Sequence, residues 1–364
     1  MKKLAALLAI PMAYVAALTP GRAQAYPELT RFGYNTCMAC HVAPTGGGLL
    51  TPYGRKLSAE LMNTWGEERH AGVFWGAVDE EKLEDYLLLG GDIRAAQVHF
   101  ENERVKVGRF IKMQADVAAA AVYNAWTFLM RVGKIEDEKW RAIANEFWAK
   151  WSPTESLSVR AGRFTPAYGL RLADHIAFVR GPFGFGLDSA RDAAELGWFS
   201  ETWSAFATVA KEFRETSPER TGSLIVERAI GDTSKIGANV MIGDNNTTRR
   251  DLAGVWGIAG FSKRSYWLTE LDWQTSKAVT SQTAFATYQR LGYTVFKGLD
   301  LNVLYERYQA DVAKPDSITE RAGPGFQFTP LAHTEFSGAW TKQRTRAPKE
   351  MEEDYAWLVL HYYF

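Results

Sequence analysis

From about residue 84 to its last residue the chain abandons helical spacing of apolar side chains for a spacing of two, and keeps it. A period of two is that of an extended strand, whose successive side chains point to opposite faces. In Ile236–Ile242 the apolar set is Ile236, Ala238, Val240 and Ile242. Trp267, Thr269, Leu271 and Trp273 share one face of their segment, with Glu270, Asp272 and Gln274 on the other. Phe336, Gly338 and Trp340 oppose His333, Glu335, Ser337 and Thr341 in the same way, whereas Leu301–Gln309 alternates poorly. A pattern sustained over this length restricts the chain to an all-β architecture.

Sixteen segments carry it: Leu87–Phe100, Val105–Tyr123, Ala125–Gly133, Lys139–Ser152, Ser156–Phe164, Ala190–Ser200, Thr202–Lys211, Ser223–Ile230, Ser234–Gly243, Asp251–Ser262, Arg264–Thr275, Gln282–Phe296, Leu299–Asp311, Ile318–Thr329, His333–Gln343 and Asp354–Phe364. Their links alternate between short ones, such as Glu201 and Lys263, and longer polar ones, such as 212–222 and 344–353. An even strand count, short turns at one end and long loops at the other describe a transmembrane antiparallel β-barrel. Aromatic residues make up 13% of the chain although mean hydropathy is only −0.23, which suits a protein that hides its apolar surface in alternate positions. The terminal Phe364 continues the stripe of Leu358, Leu360 and Tyr362, as in outer-membrane proteins read at their C-terminus for assembly. No run beyond residue 25 has the length and apolarity of a membrane helix. Acidic and basic residues number 42 each, so no nucleic-acid partner is expected.

The N-terminal part reads differently. Lys2 and Lys3, the apolar run Leu4–Leu18 and Ala23-Gln24-Ala25 form a secretory signal over residues 1–25, placing the mature start near Tyr26. Residues 26–80 then hold the only two cysteines of the 364 residues, in Cys37-Met38-Ala39-Cys40-His41. C-x-x-C-H is the attachment signature of a c-type haem. Each thiol can add to one vinyl group, and the adjacent imidazole is the proximal iron ligand. A disulfide, a thioredoxin-like pair or a zinc site with a fourth ligand are the competing readings. The glycine-rich 43–48 is neither helix nor strand, 51–54 reads as a turn, and a helix is expected from an N-cap at Ser58, with Leu57, Leu61, Met62 and Trp65 on one face. Met62 and His70 are the local candidates for the sixth iron ligand, beside barrel residues or an open site. About fifty-five residues are few for an independent haem domain, so the barrel lumen or its periplasmic mouth is expected to complete the pocket.

Residues 81–364 are thus read as a porin-like barrel of about 16 strands, and residues 26–80 as a short α/coil monohaem segment plugging it. One connection stands apart. Pro166–Asp188 is the longest, with Arg171, Asp174, His175 and Arg180 among apolar residues. It either folds into the lumen as a constriction or lies outside as a lid. No Ser/His/Asp set, phosphate loop or second metal cluster points to hydrolytic or other catalysis, and a haem enzyme acting on peroxide or a small gas would need an open iron site.

The whole pattern resembles the fused outer-membrane monohaem cytochrome–porins, which include the iron oxidases of iron-oxidising bacteria. The resemblance rests on the signal, on Cys37, Cys40 and His41 near the mature N-terminus, and on the sixteen strands. Gly162–Arg171 also looks like a porin strand entering its inner loop. It implies one covalent haem c, an outer-membrane location in a Gram-negative bacterium, an extracellular redox partner such as Fe(II), and a periplasmic electron-carrier protein. The chain departs from the iron oxidases at Thr45–Leu50, glycine-rich here where theirs is richer in Phe and Pro. The rival expectation is a solute porin with a haem plug, in which Arg163, Arg171 and Arg180 would select anions.

Overall fold

The alternating segments close on themselves. In the computed structural model, which describes residues 26–77, 86–135, 142–172, 174, 176–185, 189–212, 218–346 and 350–364, sixteen antiparallel strands form one closed barrel. They are β1 Leu87–Glu101, β2 Lys106–Tyr123, β3 Trp126–Ile135, β4 Ala142–Thr154, β5 Leu157–Phe164, β6 Arg191–Phe199, β7 Trp203–Lys211 and β8 Arg220–Ile230. The second half comprises β9 Ser234–Asp244, β10 Arg249–Gly260, β11 Ser265–Lys277, β12 Ser281–Phe296, β13 Leu299–Gln309, β14 Ile318–Leu331, β15 Thr334–Thr345 and β16 Met351–Tyr363. No end lies more than three residues from the position that alternation assigns it. The signal segment 1–25, the expected start of the fourth strand at Lys139 and the boundary at residue 80 lie outside the described residues.

Each strand pairs with its sequence neighbours, and β1 pairs with β16 from Asp92↔Tyr363 to Glu101↔Asp354. Gly91 and Phe364 exchange backbone hydrogen bonds of 3.1 Å at the end of that seam. The links 124–125, 155–156, 200–202, 231–233, 261–264, 297–298 and 332–333 are tight turns at the end where both termini of the barrel lie. The opposite end carries the longer loops, including 165–190 and 310–317. Outward positions are apolar and exposed, as with Ile236, Val240 and Ile242 on β9, whose neighbours Lys235, Asn239 and Met241 are buried inward. A closed barrel with an apolar exterior is built to stand in hydrocarbon.

The interior is entered from both ends, and cavities remain between the parts that enter it. The described residues of 165–190 fold inward, resolving the choice between constriction and lid. Tyr168, Leu170, Leu172, Val179 and Phe183 are at most 4% exposed, packed against Trp256, Tyr266, Leu268 and Leu304 of the wall. Each such side chain gains about 1.5–3 kcal/mol by burial, which a lid in water would forfeit. This packing also explains why β13 alternates poorly. Leu301 and Val303 face outward, while Leu304 faces inward onto the loop, so both faces of the strand are apolar there.

From the short-turn end the N-terminal segment enters and is fastened all round. Arg31 donates to Thr294 (2.9 Å) and Asp300 (3.0 Å), Lys235 to Asn35 O (3.0 Å), Lys150 to Val42 O (3.0 Å) and Arg55 to Leu89 O (2.6 Å). Its helix, α1, spans Pro52–Leu57 and begins earlier than expected. Thr51, not Ser58, is the N-cap, its Oγ1 accepting from Gly54 N at 3.1 Å, and Pro52 occupies the first turn where its missing N–H costs nothing. The expected 51–54 turn is therefore the start of a helix, and Ser58, which follows it, shares a hydrogen bond of 2.8 Å with Tyr363 Oη.

This docking buries His333, in the turn between β14 and β15, completely. The ring stacks on Tyr363 at 5.4 Å, and the backbone is left-handed at φ 65°. Burial, with help from Arg55 and His70, lowers its pKa to about 4, against the pull of the Arg55 backbone. The docked form thus binds fewer protons than the undocked one, so its stability is complete above about pH 6.5 and falls as pH drops toward 4. The loss should reach on the order of 3 kcal/mol. Hydrogen exchange over residues 52–62 should show protection falling across that window in the wild type, and markedly less in His333→Asn, which tolerates the left-handed backbone.

Candidate functional site

The C-x-x-C-H motif forms a single tight turn. Cys37–Ala39 is one turn of 3₁₀ helix, closed by Cys40 N to Cys37 O (3.2 Å) and His41 N to Cys37 O (2.9 Å). The chain then doubles back: Val42 N donates to Leu49 O (3.0 Å), and Thr51 N to Cys40 O (2.9 Å). Gly46, Gly47 and Gly48 make this hairpin possible, with φ of 83°, 77° and 67°, a left-handed run that L-residues with a Cβ strongly disfavour. Thr51 Oγ1 donates to Ala39 O (2.8 Å) while capping α1, which seats the helix directly on the motif. At Gly54 the approach is so close that a Cβ would lie 3.0 Å from the Cys40 carbonyl carbon.

Cys37, Cys40 and His41 line one cavity that holds about 1080 Å³ of empty space, part of it open to solvent. Its walls come from three sources. The N-terminal segment gives Leu29, Leu49, Leu57 and Met62, the inner loop Leu170 and Arg171, and the barrel Trp256, Ile258, His361 and Tyr363. Met62 reaches the cavity because the helix loosens after Leu57 into a π turn, Ser58–Met62. The wider turn brings residue 62 back toward the face that carries Gly54 and Ser58. Asn63, fully buried, supports the loosened turn through its side chain, which donates to Ser58 O (2.9 Å) and to Ala59 O. His70 lies outside the cavity lining, and its Nδ1 accepts from Glu67 N at 3.1 Å.

The chemistry of the two thiols separates the competing readings. Burial raises the Cys37 pKa, and burial together with Cys37 pushes Cys40 up to about 11. A thioredoxin-like pair works through a thiolate of lowered pKa, so raised thiols weigh against that reading. Both cysteines are free, and among the described residues no group of three or more His, Cys, Asp and Glu could hold a metal ion. His41 is held neutral: burial lowers its pKa to about 4, only partly opposed by the Gly48 and Gly47 backbone and by Asp92. Its Nδ1 is buried without a hydrogen-bond partner, a cost of about 1–3 kcal/mol that a bound group could relieve by reorienting or fixing the ring. A neutral imidazole beside two protonated thiols in a largely apolar cavity fits a thioether-linked haem.

The inner-loop residues are not free to act on a solute. Arg171 donates to Thr45 O (3.0 Å) and Glu227 (3.2 Å), so it joins the loop to the C-x-x-C-H hairpin. Arg180 forks onto Glu270 at 2.7 and 3.0 Å, and Arg163 onto Glu212 at 2.8 and 3.2 Å. Asp174 accepts from Ile176 N at 3.0 Å, and burial raises its pKa despite Arg321. It lines a second cavity, between the loop, residues 26–28 and the wall formed by β12–β16, β1 and β2. His175 lies outside the described residues. Lys235, Glu227 and Trp256 carried no local signal for the site, because inward positions on distant strands meet the motif only when the barrel closes.

A residue with a side chain at position 54 has no space. Gly54→Ala should lower the thermal unfolding midpoint by the equivalent of about 1–3 kcal/mol. The control Gly222→Ala has nothing within 4 Å and should leave the midpoint unchanged.

No known family profile matches this chain, and no curated protein matches it. Solved structures do. The anion-selective porin from Comamonas acidovorans aligns with a TM-score of 0.62 at 11% identity, over 76% of this chain and 99% of that one. OprB of Pseudomonas putida gives 0.62 at 10%, over 84% and 99%. OmpT of Vibrio cholerae, an outer-membrane protein, gives 0.61 at 12%, over 76% and 97%. At such identities the likeness concerns the fold: a porin-type barrel.

Proposed function

We propose that this chain is an outer-membrane barrel of a Gram-negative bacterium whose lumen is closed and serves as the pocket of one covalent haem c. In this reading it passes single electrons between an extracellular donor or acceptor, Fe(II) among them, and a periplasmic electron-carrier protein. The observation that carries the reading is the cavity in which both cysteines, His41 and Met62 meet inside the barrel. Cys37 and Cys40 would hold the haem, His41 would be its proximal ligand and Met62, rather than His70, the sixth. When bound, such a group supplies reversible one-electron chemistry, and a methionine ligand raises its potential.

The chain's own residues would do the rest. Leu29, Leu49, Leu57, Leu170 and Ile258 keep water from the cavity walls. The N-terminal segment closes the short-turn end, taken as periplasmic by the barrel rule, and the inner loop closes the other. Arg171 holds the two plugs together.

A second reading has support of its own, and the fold comparisons favour it over electron transfer: a solute-conducting porin with a structural or sensory plug. The similar structures are porins and outer-membrane proteins by their own descriptions. Against it stand the two plugs within the lumen and the engagement of Arg163, Arg171 and Arg180 with buried carboxylates, since freeing a buried cation to meet a solute leaves its partner charge unpaired.

Two measurements separate them. The purified protein should show a reducible c-type α-band with dithionite, lost in Cys37→Ala/Cys40→Ala, and Met62→Ala should lower the reduction potential while the band persists. In planar bilayers the same protein should conduct poorly. A colourless, folded barrel with large steady conductance would end the haem reading in favour of the porin.

A further inference from the structure

The N-terminal segment does not stay inside the barrel. After Met62 it climbs over the rim at the short-turn end. Thr64 N donates to Thr329 O (3.0 Å), Trp65 N to Pro330 O (2.9 Å) and Thr64 Oγ1 to Lys297 O (2.8 Å). The crossing is tight: at Gly298, φ 93°, a Cβ would lie 2.7 Å from Thr64 N. Beyond it, three aromatic side chains of the segment settle on three of the barrel. Trp65 meets Phe328 edge-on at 5.8 Å, Trp75 lies 4.8 Å from Tyr362, and Phe74 stacks on Phe364 at 4.4 Å.

Tyr362 and Phe328 lie on the outer face, and Phe364 sits at the β1–β16 seam, where it also borders the cavity. Tyr362 continues the outward stripe of Leu358 and Leu360. Phe364 lies over Gly91, which precedes the outward Ile93 by two residues on β1. Phe328 pairs with Phe336, on the same face as Trp340. The covering side chains stay open: Trp65 is 64% exposed, Phe74 46% and Trp75 45%. Phe74 and Trp75 are held in left-handed backbone, at φ 49° and 58°, which costs about 1–3 kcal/mol each and calls for an offsetting interaction.

Elsewhere the same end of the barrel carries exposed aromatics of its own, such as Tyr123 and Trp126 beside one turn and Trp198 and Trp203 beside another. Such girdles sit at the lipid–water interface. At the ends of β14 and β16, Trp65, Phe74 and Trp75 stand in front of Phe328, Tyr362 and Phe364. We propose that residues 64–75 form a strap that completes the girdle in this sector, and that the surface it presents is for lipid at the membrane interface. The N-terminal segment is then at once a plug within and a membrane anchor without, whether or not a haem is attached.

Quenching by brominated phosphatidylcholine tests this in the full-length protein, reconstituted in vesicles. The emission that each tryptophan contributes is the difference between wild type and its Trp→Phe variant, taken for Trp65, Trp75, Trp203 on the barrel girdle and the buried Trp256. Heat-modifiable migration confirms that each variant is folded. Brominated lipid should remove half or more of the Trp65 and Trp75 contributions, as it does for Trp203, and leave that of Trp256. Unquenched, red-shifted Trp65 and Trp75 beside a quenched Trp203 would overturn the strap, and an unquenched Trp203 would overturn it together with the membrane-spanning barrel.

Discussion

In hydrocarbon no backbone N–H or C=O can be left without a partner, and a strand-built protein meets that demand only by closing its sheet. The seam between β1 and β16 is where this chain does so, and the rest of the structure depends on it. Closure fixes which residues face out, and hence the lipid-facing apolar stripe. It also creates an interior whose contents the sequence must supply. The reciprocal hydrogen bonds of Gly91 and Phe364 bring the last residue of the chain beside the motif segment, so the seam and the cavity share a wall.

The interior is held by charge as much as by apolar packing. Buried ion pairs line it at Arg160–Glu195, Arg163–Glu212, Arg180–Glu270 and Arg321–Glu306. Such pairs add little net stability compared with apolar replacements, but breaking one leaves a buried charge alone. Two of them fix where the inner loop sits: Arg180–Glu270 directly, and Arg321–Glu306 through Ile176 O (3.1 Å) and Phe178 N (2.8 Å). Glu270 shows the consequence: it takes both Arg180 and the Leu170 backbone N–H, so one wall residue sets the path of the loop at two points.

The motif gains its surroundings from this arrangement. A hairpin of three left-handed glycines and a six-residue helix could not shield a large cofactor alone. Here the wall, the inner loop and the segment itself each contribute a side of one cavity, and Arg171 bonds the loop to the hairpin. The strap outside and the plug inside belong to one stretch of chain, and the crossing at Gly298 joins them.

Strand number, their limits and the outward face were legible in the residues, because a period of two is a local property that a half-buried strand imposes on its own sequence. The motif was legible for the same reason: the spacing of Cys37, Cys40 and His41 is chemistry carried in five consecutive residues. The helix start was misplaced because Thr51 and Pro52 serve a turn as well as they serve a cap, and only the contact of Gly54 with Cys40 selects the helix. Whether Pro166–Asp188 lies inside or out, whether Met62 or His70 reaches the cavity, and which strand residues meet the motif were decided by the closed barrel. These are contacts between residues tens or hundreds of positions apart, and no local pattern encodes a distance that exists only once the last strand has paired with the first.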